Sequence, residues 1–218
     1  KPEIIINAAA YTNVEKSEHL KDYALKINLN LTQSLSSLTY EIGATLIHFS
    51  TDYVFDGKKK SSYKETDLEN PLNFYGISKL YGERSILNSS CRFLIFRIST
   101  LLSGYKDNLI YIMLNNGFNN HELKVVSDQL FTPTSVNFIT KNIGLVLNKD
   151  IYKNFPFNNI FHLTPTGKIS PYQLANNLFQ IFNTTCKKNI LNTNKIKPIL
   201  LREYKSDVIR PQNCILDN

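Results

Sequence analysis

A chain of 218 residues that is 42% hydrophobic and 20% charged can bury one full core, or a core with a small appendage, and has the composition of a soluble globular protein. Its apolar runs, such as Glu3 to Ala10 and Phe93 to Phe96, fall far short of the roughly 20 residues of a membrane span, and no basic-then-apolar leader opens it, so membrane contact is not expected and the cytoplasm is. The net charge of +7 would suit nucleic acid or an anionic small molecule, but Lys58-Lys59-Lys60 and Cys186-Lys187-Lys188 are short loop clusters without interleaved aromatics or a basic helix, which favours the small molecule. Cys91, Cys186 and Cys214 are odd in number and lack CxxC or His partners, so neither a disulfide framework nor a zinc site is expected. The sequons at Asn30, Asn88 and Asn183 carry no weight without a secretory signal.

The chain opens without Met on Lys1-Pro2 and runs straight into Glu3-Ile4-Ile5-Ile6-Asn7, a β-branched run of the kind found in buried parallel strands. Small residues, Ala8-Ala9-Ala10, follow at its carboxyl end, where open α/β sheets admit ligands. Leu20, Tyr23, Ala24, Ile27, Leu31, Leu35 and Leu38 recur at spacings of three and four and predict a helix over 14–40. Asn28 lies on or beside its buried face, where an amide needs hydrogen-bond partners.

Gly43 ends that helix, and residues 44–49 read as the next strand. A polar, loop-like stretch over 54–71 leads to a helix over 73–87 and a buried strand over 92–98. Beyond it come a short helix over 108–118, a strand over 123–126, a helix over 136–147, a strand over 158–163 and a helix over 171–182. Alternating strands and helices argue for an α/β protein with a doubly wound parallel sheet. The last 35 residues lose the rhythm, and with the segment from Gly104 to Thr134 they are expected to pack as a smaller lobe over the strand ends.

The chemistry concentrates between Leu46 and Lys79. A strand ends at Phe49, Ser50-Thr51-Asp52-Tyr53 follows it, and Tyr75 and Lys79 stand four residues apart on one helix face. A phenol with its ordinary pKa near 10 is a poor acid or base at neutral pH, and a neighbouring ammonium would lower that value. Thr51 could then hydrogen-bond a carbonyl oxygen that Tyr75 protonates. Tyr-x-x-x-Lys alone is a weak signal, since a helical Tyr and Lys are most often part of an amphipathic face.

The motifs together are more specific. Asn7 to Thr12 (NAAAYT), Asn28, Ser50 to Gly57 (STDYVFDG), Pro71 to Glu83 (PLNFYGISKLYGE), Asp128 to Thr134 (DQLFTPT) and Arg210 to Asp217 (RPQNCILD) resemble, in order, dTDP-4-dehydrorhamnose reductase, an extended short-chain dehydrogenase/reductase. The resemblance implies NADPH- or NADH-dependent reduction of the 4-keto group of a dTDP-linked 6-deoxysugar to dTDP-L-rhamnose. By that resemblance Tyr75 donates the proton, Lys79 lowers the Tyr75 pKa and holds the nicotinamide ribose, and Thr51 orients the keto oxygen. Asn28 supports the site, with Ala8, Ala9 and Ala10 along the dinucleotide. Asp52 and Tyr53 are implied beside the sugar, with Tyr53 equally open to a packing role. Asn108, Gln129 and Arg210 are implied to line the substrate side, with surface or lobe packing as the other reading. Asp128 and Thr134 are expected to stabilise a turn, and His162, in Phe161-His162-Leu163, to be structural.

The implied fold is a Rossmann-like sheet over 1–103 and 135–162 with a substrate-binding lobe over 104–134 and 163–218. The family's Gly-x-x-Gly-x-x-Gly turn, which receives the cofactor pyrophosphate on backbone N–H groups, has no counterpart here. The first βαβ segment, on the order of 50–60 residues judged from unit size, is therefore expected to be absent. The 218 residues alone are accordingly expected to be an amino-terminally truncated fragment, inactive or poorly soluble. The family's Thr-Ser-Trp reads Ile98-Ser99-Thr100, which removes an aromatic wall from the sugar site. A reductase of another 4-keto nucleotide sugar therefore stays open, as does a non-catalytic relative resembling the regulatory β subunit of methionine adenosyltransferase. The resemblance leaves open a homodimer and a divalent metal at its contact; Glu15 lies in the matching region, and no metal ligand is assigned.

Overall fold

The computed structural model describes residues 1–106 and 108–218, so position 107, inside the expected lobe segment, lies outside the described residues. Strand β1 (Ile4–Asn7) leads into a helical region that the sequence predicts as one rod. Instead it is built from α1 (Val14–His19), α2 (Lys21–Leu25), a π-helical turn over Lys26–Asn30 and α3 (Leu31–Ile42), with a break at Leu20 (φ −110°, ψ 50°). Apolar periodicity records which face is buried and carries no signal for one extra residue per turn, so the π turn escapes it. Gly43 ends α3 as expected: at φ 69° its N–H reaches the carbonyls of Thr39 and Tyr40.

Next come β2 (Thr45–Thr51), α4 (Phe74–Leu87), β3 (Arg92–Ile98), the two-residue β4 (Leu101–Leu102) and α5 (Leu109–Phe118). They are followed by β5 (Leu123–Val126), the short β6 (Leu130–Phe131) and β7 (Thr134–Ser135), α6 (Val136–Val146), α7 (Lys149–Asn154) and β8 (Asn159–His162). The chain closes with α8 (Pro171–Cys186), β9 (Ile196–Ile199) and β10 (Asn213–Cys214).

A parallel sheet in the order β1-β2-β3-β8 forms the centre. Successive residues of a strand point to opposite faces. On one face Leu46, Phe93 and Ile95 pack with Ile86 of α4 and Cys91; on the other Ile47, Leu94 and Phe96 meet Ile139, Ile143 and Val146 of α6. Helices thus cover both faces, which is why β2 and β3 read as unbroken apolar runs. Full burial of a side chain such as Ile47 or Leu94 contributes about 1.5–3 kcal/mol each.

Two features fix α4 on the sheet. Arg97 of β3 is wholly buried; its Nε and Nη2 donate to the two carboxylate oxygens of Glu83 at 3.0 and 2.7 Å, and Nη2 also meets Glu69 Oε1 at 2.6 Å. Two glycines let backbone approach the helix. A Cβ at Gly76 would fall 2.2 Å from the Tyr53 carbonyl oxygen, and one at Gly82 would fall 2.4 Å from the Asn28 carbonyl oxygen in the π turn.

The stretch over 54–71 is less loop-like than its polarity suggests: Val54, Phe55 and Tyr63 form a small core with Leu80 and Leu216, and Phe55 stacks on Tyr63 at 4.4 Å. The tail also keeps structure. β9 pairs in parallel with β5, and with α5 and α8 they enclose a second core of Met113, Val125, Ala175, Phe179, Leu191 and Ile196. Pro198 masked β9 in the sequence, because proline cannot donate to a ladder and is confined to edge positions such as this one.

Gly82→Ala should lower stability by about 1–3 kcal/mol, the usual cost of overpacking a tight contact. The expected result is a lower urea midpoint with an unchanged slope, whereas a midpoint equal to wild type would show that α4 can move away from Asn28.

Candidate active site

The parallel strands end together, and β2 delivers Thr51 and Asp52 at its carboxyl edge. Thr51 caps a 3-10 turn over Asp52–Val54 by accepting the Tyr53 N–H at 3.2 Å, and its hydroxyl donates to Asp52 Oδ1 at 3.0 Å. The Ser99 hydroxyl donates to the other Asp52 oxygen at 2.7 Å. Burial pushes the Asp52 carboxyl up to about 6 against the opposing pull of these hydrogen bonds. Asp52 is buried with both oxygens engaged, so it lies beneath Thr51 and orients it. This corrects the expectation that it stands against the sugar.

Asn73 starts α4 by accepting the Gly76 N–H at 2.9 Å, and Glu18 takes the Phe74 N–H at 2.7 Å. One helical step inside, Tyr75 meets Tyr53 edge to face, with ring centres 5.9 Å apart. Desolvation raises the Tyr75 phenol to about 12; a hydrogen bond with Thr51 pulls down, and the charge of Asp52 pushes up. Lys79 points its ammonium at the Phe49 carbonyl, 2.6 Å away. Burial drives its own pKa down to about 8, with Glu83 pulling it back up. The spacing of Tyr75 and Lys79 suggests that the ammonium lowers the phenol. For Tyr75 the direction is the reverse: desolvation by burial dominates, the charge of Asp52 adds to it, and Lys79 is turned to a backbone carbonyl. Tyr75 is consequently a fully protonated donor at neutral pH.

The remaining expected residues divide by what their polar atoms touch. Asn28, in the π turn, accepts the Tyr11 N–H at 2.8 Å and donates to the Tyr11 carbonyl at 3.0 Å and to Ser78 Oγ at 2.9 Å. With both amide hydrogens and its oxygen engaged, it ties the loop after β1 to α4, the supporting place expected of it, and has no hydrogen left for a cofactor. Ala8 and Ala9 are exposed and Ala10 half-buried at the end of β1. Their loop is shaped by the Ala9 N–H donating to Asn7 Oδ1 at 3.1 Å.

Tyr53 and Arg210 come together: Arg210 Nη1 donates to the Tyr53 hydroxyl at 3.4 Å, while Nη2 pairs with Glu15 at 2.6 Å. Gln129 donates to the Pro211 carbonyl at 2.8 Å and so steadies the segment that carries Arg210. Asn108 caps α5, accepting the Ile110 and Ser103 N–H groups and donating to the Leu101 carbonyl at 2.8 Å; no hydrogen bond joins it to Thr51 or Tyr75 among the described residues. Asp128 accepts the Leu201 N–H at 2.7 Å, Thr134 donates to the Thr132 carbonyl at 3.1 Å, and His162 Nδ1 donates to the Asp217 carbonyl at 3.0 Å. Among the described residues no group of three or more His, Cys, Asp or Glu is placed to hold a metal ion. Ser99, Asn7 and His48 were not singled out from the sequence; a hydroxyl after β3 and polar side chains inside apolar strand runs were the available signals.

A strand-end Thr, a helical Tyr and a Lys one turn later, at the carboxyl edge of a parallel sheet clad on both faces, have the layout of a short-chain dehydrogenase/reductase. Comparison with known proteins narrows the class. The RmlD substrate binding domain family matches residues 1–218. A dTDP-4-dehydrorhamnose reductase of Aggregatibacter actinomycetemcomitans is 35% identical over 217 residues, covering 100% of this chain and 73% of the relative. A Bacillus anthracis dTDP-4-dehydrorhamnose reductase in complex with NADP superimposes with a TM-score of 0.89 at 30% identity, over 100% of this chain and 72% of its own. The corresponding Clostridium acetobutylicum structure gives 0.88 at 33% identity, over 100% and 72%. The chain belongs to the dTDP-4-dehydrorhamnose reductase family.

Asp52 has a folded pKa near 6, above its ordinary value of 3.8, so the native state binds its proton more tightly than the unfolded state does. Its contribution to stability therefore falls as pH rises from about 4 through 6, by on the order of 3 kcal/mol, and stays unfavourable above. Asp52→Asn should flatten that part of the profile when urea midpoints are compared from pH 4 to 7; parallel profiles for variant and wild type would contradict the assignment.

Proposed function

We propose that this chain carries the proton-donating and substrate-facing parts of an NAD(P)H-dependent reductase that converts dTDP-4-dehydro-6-deoxy-L-mannose to dTDP-L-rhamnose, a nucleotide sugar for cell-surface polysaccharide. The observation that carries the reading is a family match along the whole chain, together with Tyr75 held protonated beside Thr51 at the carboxyl edge of the sheet.

The Ala8–Ala10 loop, exposed at Ala8 and Ala9, suits a dinucleotide: methyl side chains leave its backbone open at the end of β1, where open α/β sheets bind ligands. Lys79, buried with its ammonium at the Phe49 carbonyl of the adjoining strand β2, serves to hold the ribose. The bound cofactor supplies a hydride to C4 of the sugar. Thr51, on turning its hydroxyl hydrogen from Asp52 to the substrate, positions the keto oxygen, and Tyr75 gives that oxygen its proton from the phenol. A reduction consumes one proton per turnover at this oxygen, and a phenol that stays protonated at neutral pH meets that need.

Arg210, with Tyr53, supplies positive charge and an aromatic face toward the anionic nucleotide sugar, and Gln129 and Asn108 hold the segments around it. We assign residues 1–103 and 135–162 to dinucleotide binding, and 104–134 and 163–218 to the substrate lobe. The second core enclosed by α5, β5, α8 and β9 supports that division. No helix among the described residues is long and apolar enough to cross a membrane, and this reading places the reaction in the cytoplasm.

The test is NADPH oxidation with dTDP-4-dehydro-6-deoxy-L-mannose by the protein as its gene encodes it. Tyr75→Phe should lower kcat by a factor on the order of 10²–10⁴, the usual loss of a general acid. Undiminished turnover in that variant would remove Tyr75 from the acid role.

A further inference from the structure

We propose that His48, a residue of β2 outside the reacting groups, is a positioning residue for the dinucleotide: acting through Asn7, it fixes the backbone of the Ala8–Ala10 loop. The proposal rests on the reductase reading above.

Donor and acceptor chemistry fixes each link from Ala9 to His48. The Ala9 N–H can only donate, so the Asn7 atom 3.1 Å from it is the amide oxygen. That orientation turns the Asn7 NH2 toward His48 Nδ1, also at 3.1 Å. An amide NH2 can only donate, so Nδ1 must present its lone pair and the ring proton must sit on Nε2. Rotating the Asn7 amide by half a turn would set its NH2 against the Ala9 N–H, and a doubly protonated imidazole would set N–H against N–H. Every link therefore admits one arrangement.

Asn7 is 4% exposed and His48 1% exposed, so water does not substitute freely for either partner. Among the described residues His48 Nε2 has no partner, which leaves Asn7 as the side chain the imidazole holds. Desolvation, with the positive charge of Lys79 adding to it, keeps the ring neutral. The imidazole thus serves as a permanent acceptor that locks an amide, and the amide locks the loop on which the cofactor lies.

The test compares wild type, His48→Phe, which fills the volume without an acceptor, and His48→Asn, whose Oδ1 stands where Nδ1 stood. In the gene-encoded protein His48→Phe should raise KM for NADPH about tenfold, with kcat at saturating NADPH falling less than about threefold, and should speed exchange of the Ala9 amide. His48→Asn should recover KM to within about threefold of wild type. Imidazole nitrogen NMR of the wild-type protein should show the Nε2–H tautomer, a reading that does not depend on any variant folding. An Nδ1–H tautomer, or a folded His48→Phe protein with wild-type KM, would overturn the assignment alone. Failure of the wild-type protein to bind NADPH would overturn it together with the reductase reading.

Discussion

The buried pair of Arg97 and Glu83 governs where the reacting groups stand. Tyr75, Lys79 and Glu83 follow one another at intervals of four along α4, so they share one face of the helix. Glu83 is held at both oxygens by a guanidinium that projects from β3. Pinning the third residue of such a row sets the rotation of the helix, and with it the direction of the first two. A pair of this kind is costly to desolvate, and its net contribution to stability can be near zero or negative. What it contributes is register: with 0% of Arg97 exposed, an α4 rotated by one residue would leave a buried guanidinium without a carboxylate. Glu83 also acts on Lys79, keeping the ammonium from losing its charge as far as burial alone would drive it.

Rotation must be matched by approach, and the glycines supply that. Gly76 admits the Tyr53 carbonyl and Gly82 the Asn28 carbonyl to distances no Cβ would allow. The turn after β2 and the π turn before α3 are thereby drawn onto the same helix from two sides. Asn28 then ties the Tyr11 backbone to Ser78, and Ser78 donates to the Tyr75 carbonyl at 2.8 Å. The loop that would face a dinucleotide and the helix that carries the acid are consequently parts of one hydrogen-bonded frame. A site that must place a hydride donor and a proton donor on one carbonyl group depends on such a shared frame, since small misplacements are expensive in rate.

Much of this was legible in the sequence where a physical pattern repeats. The apolar runs of β2 and β3, the alternation of strands and helices, Gly43 as a helix stop, and the Thr51, Tyr75 and Lys79 set all follow from periodicity, backbone freedom or motif spacing. The π turn did not, because one extra residue in a helix has no composition of its own. Its only trace was an Asn on an apolar face and a Gly at position 82 of a distant helix. β9 was hidden by its proline and by its shortness. The link from His48 to Ala9 passes between two strands, and no local pattern in one sequence pairs residues 7 and 48.

The direction of the Tyr75 shift is the more instructive miss. Spacing put an ammonium one turn from the phenol, and proximity along a helix was read as electrostatic proximity. Four flexible bonds separate the Lys79 ammonium from its backbone, and a buried ammonium goes to whatever acceptor satisfies it, here the Phe49 carbonyl. What remains around Tyr75 is low polarity and the negative side of Asp52, and both keep the proton on the phenol. For a reaction that begins by giving a proton away, this is the productive resting state. Burial outweighs the neighbouring ammonium here, because desolvation acts on the phenol directly whereas the Lys79 ammonium is held by a backbone carbonyl.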